Sequence, residues 1–549
     1  MEGASRRSGL SSVESEERFR QIFFTHLESD GFSEADAYRL IFKTPDPFHR
    51  APTGLHGLDL LRSFRESYQR QLPYSWYFEG LNRKPESDRR CLQAPERPVT
   101  FVVIPGIFGE FIQPVPFQSV VDRKDSHFSR KWQASLEATP DRVYSLLELS
   151  EVPCSLAEVV KIGSLDQAER SFANVIILRA RSGSLESLGT LASNVDVYER
   201  RLTKIFEVIA EDTDIYIIGY SRGLPVALEL VSRLHEQMKS GVISPATQAW
   251  FEKVRGVVGL GGVFYGANFA HDVLTGQSAT SQLLRLLSET SAKLTPLPKD
   301  AAKKSLFLAE NARTWAHFVK GISGAGPPKV AAGRTFLQMD LHEMFARESK
   351  TRILDRDVPP PSQWGIFALV NTFLLNSFNL RQLVSRYNEN IQAFQKLVEA
   401  VMAGLDTLTP ESRDAWWRSH ELPKDLVLFS LTGTMPEAYL DDYESPLSRF
   451  AGFGVKTSDY NVSLRASYYD VLSSENTLIN DSQMSHYCSR YWEEMHPEHS
   501  YAHHYLGVLG THHWGMAFPF AIKDVARVGV NSFPRSTLLK SMASFISSL

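Results

Sequence analysis

The chain has 549 residues, 43% of them hydrophobic and 22% charged, the proportions of a folded globular protein and not of a disordered or fibrous one. Its 59 Lys and Arg nearly balance 63 Asp and Glu, so a net charge of -4 supplies none of the positive field that a nucleic-acid binder uses. Three cysteines, Cys91, Cys154 and Cys488, are too few and too odd in number to staple a chain of this size.

The first twenty residues are polar and lack the apolar core of a signal peptide, so a cytoplasmic placement is expected, with non-classical export left open. From about residue 16 to 78 the apolar positions recur at helical spacing, and turn-formers near Asp30, Pro45 and Pro52 break the run into several helices. After a charged, proline-containing stretch the pattern changes. Short runs rich in Val and Ile occupy 99–104, 174–178, 214–218, 254–260, 425–431 and 505–509, the signature of strands buried on both faces. Alternating with amphipathic helices, they predict a mostly parallel sheet flanked by helices. Between about 270 and 422 the strand rhythm gives way to helical segments, which read as an inserted cap. The apolar stretch 364–380 is interrupted by Asn371, Asn376 and Asn379 and falls short of the roughly 20 apolar residues a membrane span needs. The expected organisation is a tail and helical extension over 1–95, an α/β core over 96–285 and 422–549, and a helical cap over 286–421.

The strongest local signal is a five-residue apolar run leading into Gly219-Tyr220-Ser221-Arg222-Gly223 and then an amphipathic helix. A serine on such a strand-to-helix turn projects its oxygen above the sheet, and the flanking glycines are needed where side chains would strike the neighbouring elements. The helix N-terminus adds backbone donors and a dipole that favours an oxyanion. A tetrahedral anion is held by two backbone N–H groups. The glycine-flanked exit of the first long strand, Pro105 to Gly109, would present that of Ile107 beside that of Arg222. The Arg222 side chain would contact an anionic head group or pack against a helix.

At these residues the chain resembles the α/β-hydrolase superfamily, and within it the bacterial true lipases and related lipid esterases. Pro105-Gly106-Ile107 is similar to the H-G-apolar oxyanion loop, with proline in place of histidine. Gly261, Gly262 and Gly266 keep the glycine rhythm of the loop after the next strand, and residues 429–438 are similar to the strand and T-G-T turn before the acid loop. The resemblance covers roughly 99–269 and 425–520. It implies a triad in the chain order serine, acid, histidine. Asp481, in Asn480-Asp481-Ser482, takes the acid position of an N-D-G-x-V loop, with serine replacing glycine; Asp441 and Asp442 are the alternates because they follow a strand more closely. His513, directly before Trp514, is the favoured base and His512 the alternate. The fold then requires an imidazole within hydrogen-bond reach of Ser221 and Asp481 behind it.

Seven of the 16 histidines lie between His486 and His513. His499 and His503 are spaced to share one helical face, with Glu493, Glu494 and Glu498 nearby, yet no metal-binding motif is present and a polar surface segment is the preferred reading. No cofactor or metal is expected. The expected activity is serine-dependent hydrolysis of a carboxylic ester through Ser221, Asp481 and His513, the ester being small and lipid-like. Peripheral membrane contact is compatible with this, and no nucleic acid or obligate protein partner is inferred. Acyl transfer by the same triad, or a non-catalytic scaffold of the same fold, are the competing readings.

Overall fold

A computed structural model describes residues 10–67, 99–107, 142–145, 173–178, 187–208, 213–275, 288–295, 395–434, 474–517 and 533–549, with a few single positions between them. Its centre is an eight-stranded sheet in the order β1-β8-β7-β6-β5-β2-β4-β3. The strands are β1 (Ile41–Phe42), β2 (Val99–Ile104), β3 (Arg142–Ser145), β4 (Ala173–Ile177), β5 (Asp214–Tyr220), β6 (Val254–Leu260), β7 (Val427–Thr434) and β8 (Ala502–Gly510). From β4 to β8 every neighbouring pair is parallel, and the two edge strands β1 and β3 run antiparallel.

The strands are apolar on both sides because both faces are covered. Val102, Ile104, Ile215, Ile217, Val257 and Leu428 belong to one core. Val99, Phe101, Val103, Ile218, Val258 and Phe429, the alternate positions of the same strands, belong to the other. This period-two division is what turns an uninterrupted Val/Ile run into a central strand. On the first face lie α3 (Gly57–Ser67), α4 (Leu191–Val208), α5 (Gly223–Lys239) and α6 (Pro410–Ser419). On the second lie α1 (Ser12–Ser29) and α8 (Arg535–Ser547), which pack on each other through Phe19 and Phe545.

The N-terminal segment is more than a helical attachment. α1 starts at Ser11, whose hydroxyl accepts the Glu14 N–H while the Glu14 carboxylate accepts the Ser11 N–H, a reciprocal cap. After α2 (Glu34–Leu40) the chain turns extended. Ile41 and Phe42, which the helical spacing placed at the end of a helix, instead pair with Leu509 and Val508 of β8. The segment therefore wraps the β8 edge, with α1 on one face and α3 on the other. Glu16 of α1 is buried there, accepting the Thr44 N–H at 2.7 Å and facing His49 Nε2 at 2.9 Å.

Among the described residues no helix is long and apolar enough to cross a membrane. The stretch 364–380 and most of the proposed cap lie outside the described residues.

Candidate active site

Parallel strands aim their carboxyl ends at one edge of the sheet, and the loops leaving β2, β5, β6 and β8 meet there. Ile104 of β2 pairs with Gly219 of β5, and Gly219 pairs with Gly259 of β6, so the elbow sits between two strands whose exits are glycine-rich. Ser221 adopts φ 54°, a left-handed conformation that a side-chain-bearing residue rarely takes. The fold imposes it by close packing. A Cβ on Gly219 would stand 2.3 Å from Leu224 Cα, and one on Gly223 would stand 2.3 Å from the Ile104 carbonyl oxygen. Only glycine fits at either position, so α5 starts tight against the end of β2. One consequence is proximity to the neighbouring loop: a Cβ placed on Gly106 would lie 2.9 Å from Ser221 Cβ, with Ile107 next in the chain.

Asp481 and His513 are both buried and face each other, Nδ1 to Oδ2 at 2.8 Å. The other carboxylate oxygen accepts the Gln483 and Met484 N–H groups at 3.0 and 2.7 Å, and the His513 N–H donates to the Asp481 carbonyl at 2.7 Å. A carboxylate can only accept, so Nδ1 carries the ring proton and Nε2 is left as the basic nitrogen. The tight turn at Asp481 keeps the backbone that a glycine would adopt, since Ser482 has φ 79°. His513 Nε2 is buried and has no hydrogen-bond partner among the described residues. The expected bond from Ser221 to this imidazole is thus not made, while its Asp481 half is.

His512, the neighbouring residue, is also buried. Its Nδ1 accepts the Gly515 N–H at 3.1 Å, closing the first turn of the short helix α7 (His513–Ala517). Asp441 and Asp442 lie outside the described residues. Arg222 does not present a cation to a head group: its side chain is 1% exposed and engaged with protein acceptors. The helical-face reading of His499 and His503 is also corrected, because residues 502–510 form β8, in which side chains alternate between faces. The clustered histidines are used as hydrogen-bonding groups. His504 meets Ser15 Oγ at 2.8 Å, His503 meets Ser12 Oγ at 3.2 Å, and His486 meets the Tyr505 hydroxyl at 3.0 Å. Among the described residues no three His, Cys, Asp or Glu side chains converge as a metal ion requires.

A mostly parallel sheet with a strained serine elbow after β5 and a histidine loop after β8 settles the architecture. The fold is that of an α/β-hydrolase. No family model and no curated protein matches the chain. Among solved structures it is similar to a metagenomic carboxyl esterase, MGS0156, at 14% identity and a TM-score of 0.41, covering 100% of this chain and 96% of that one. It is similar as well to a Staphylococcus hyicus lipase at 13% identity and a TM-score of 0.32, covering 84% of this chain and 98% of that one.

Two residues of this hydrolase fold escape a reading by motif. Tyr220 fills a variable position of the G-x-S-x-G pattern, yet its hydroxyl donates to the His513 carbonyl at 2.9 Å and its ring lies 5.1 Å from the imidazole. Burial, reinforced by the Asp481 charge, pushes the phenol well above its ordinary value, so it remains a protonated donor. Glu475 is buried, and among the described residues it forms no ion pair. It accepts from the Phe269 N–H, Asn268 Nδ2 and the Tyr487 hydroxyl, tying the acid loop to the helix that follows β6, and burial pushes its carboxyl up. The only sequence signal for either was its presence beside a motif.

Proposed function

We propose that the protein is a serine-dependent carboxylic ester hydrolase working through Ser221, His513 and Asp481 and an acyl-enzyme intermediate. The observation that carries the reading is the buried Asp481 to His513 pair, 2.8 Å apart, held at the same sheet edge as a serine in left-handed strain. A buried carboxylate that fixes one imidazole nitrogen and leaves the other basic is the arrangement that turns an alcohol into a nucleophile.

In this mechanism His513 Nε2 takes the Ser221 proton as Oγ attacks the ester carbonyl carbon. Charge gathers on the former carbonyl oxygen, where the Ile107 and Arg222 N–H groups hold it. As the tetrahedral adduct collapses, the carbon–oxygen bond to the leaving alcohol breaks and that oxygen takes the proton from the imidazolium. The product is a Ser221 acyl ester. Water then gives a proton to His513 as its oxygen attacks the acyl carbon; the bond from that carbon to Ser221 Oγ breaks, Oγ takes the proton back from the imidazolium, and the acid leaves. Asp481 stays ionised and stabilises the imidazolium in both halves. The substrate is expected to be a small, lipid-like ester.

The test is labelling of Ser221 by a fluorophosphonate probe, together with turnover of p-nitrophenyl esters of graded acyl length. Labelling that disappears in Ser221→Ala, with turnover lost in parallel, supports the reading; an unlabelled wild-type chain without turnover would leave a scaffold. Products formed with an alcohol present separate hydrolysis from acyl transfer.

A further inference from the structure

Resting on that reading, we propose that Arg222 is a positioning residue for the oxyanion site, its guanidinium holding the elbow, the loop before α4 and the returning end of the insertion as one unit. The side chain leaves the elbow directly after Ser221 and donates to five acceptors among the described residues. Nη1 donates to the Ser187 carbonyl and Asn194 Oδ1, both at 2.8 Å. Nη2 donates to the Gly189 carbonyl, and Nε to the Gly404 carbonyl at 3.2 Å and Thr407 Oγ1 at 3.1 Å. A fork of fixed, planar donors suits this task, since it can bridge three chain segments at defined angles where a lysine ammonium could not.

The clamped segments also reach the second donor loop. Residues 395–406 are helical, and the Ala400 carbonyl accepts the Gly189 N–H at 2.9 Å, so the insertion and the 187–189 loop are bonded to each other as well as to Arg222. A Cβ placed on Gly404 would lie 3.6 Å from Ile107 Cδ1 and 3.7 Å from Arg222 Nε. Thus the Arg222 guanidinium and the Ile107 side chain abut one helical end. Their backbone N–H groups are the two that the mechanism assigns to the oxyanion. A charge-stabilising pair gains from being held in place before the reaction, because donors that must first reorganise give back part of what they contribute.

Removing an acceptor of the clamp should loosen the donors without touching the triad. Asn194→Ala and Thr407→Val are expected to lower kcat roughly 3- to 10-fold each with KM nearly unchanged, a fraction of the loss typical when an oxyanion donor is deleted outright. Affinity for a trifluoromethyl ketone, whose adduct with Ser221 bears the same anion, should weaken by the same factor. Arg222→Lys should lower both by more than tenfold if it folds, and the two acceptor variants carry the test if it does not. Circular dichroism confirms that each variant is folded at the assay temperature. Unchanged kcat and ketone affinity in folded Asn194→Ala and Thr407→Val would overturn the proposal, as would losses that match only an unfolded fraction. A wild-type chain with neither turnover nor probe labelling would instead remove the hydrolase reading on which the proposal rests.

Discussion

The face of β8 away from α3 holds two imidazoles that acid should turn against the fold. His26 of α1 bonds Ser544 Oγ of α8 at 3.0 Å, and His504 of β8 bonds Ser15 Oγ of α1 at 2.8 Å; both residues are about 3% exposed. Burial, aided by Lys540, lowers His26 to about 4, and burial, aided by His503 and Arg18, lowers His504 to about 4. An unfolded histidine titrates near 6.5, so below that pH the unfolded chain binds protons that the folded chain refuses, and stability falls as pH drops. Each histidine should cost about 2 kcal/mol between pH 7 and pH 5, rising to about 3 kcal/mol once the pH passes below the folded value. Urea unfolding at pH 7 and pH 5, followed by two spectroscopic probes to check for a single transition, measures the loss. The decisive comparison is with His26→Gln and His504→Asn, which keep a hydrogen-bonding group and remove the titration. Each should shrink the stability difference between the two pH values by about 2 kcal/mol. Glu475, raised by burial, works in the opposite direction, but it is common to all the proteins and cancels from the comparison. Equal losses in the wild type and both variants would refute the reasoning.

Further outcomes follow from the site. Ser221→Ala should abolish ester turnover while changing urea stability by less than about 1 kcal/mol, since the substitution is small and lies at a turn. Asp481→Asn should lower kcat on the order of 10^3- to 10^4-fold, because an amide no longer enforces the Nδ1–H tautomer; a loss below tenfold would point to another acid. Gly223→Ala sets a methyl against the Ile104 carbonyl oxygen and should cost about 3 kcal/mol by thermal unfolding, with probe labelling of Ser221 reduced. Tyr220→Phe removes the bond to the His513 carbonyl and should cost about 1 kcal/mol and lower kcat severalfold at unchanged KM.

Much of the sheet was legible because its strands are buried on both faces. The runs at 99–104 and 254–260 coincide with β2 and β6, where apolar residues serve both cores and composition alone marks the element. The two edge strands were not readable. β1 is two residues long, follows a helix without a break, and exists through a partner some 470 positions away. β3, Arg142–Ser145, has only Val143 and Tyr144 between a charged and a polar residue, too short a run to mark a strand. His499 and His503 fit a helical spacing as well as any surface pair, and only the register of β8 against β7 decides between the two periods. At the candidate site the elbow announced itself, since Gly219 and Gly223 are enforced by local packing. The nearness of Asp481 to His513 came through a resemblance of loop motifs, for the two lie 32 positions apart on separate loops. The Arg222 clamp was hidden, because its acceptors are mostly backbone carbonyls, which no residue type identifies.

The seam between α1 and β8 also has a temporal meaning. Phe19, Phe23 and Leu27 emerge from the ribosome some 480 residues before the Leu506 and Leu509 with which they share a core. At ordinary elongation rates of roughly 5–20 residues per second that is a wait of about half a minute or longer. Through it the apolar face of α1 lacks the strand it packs on, and that part of the second core closes only after β8 has been made.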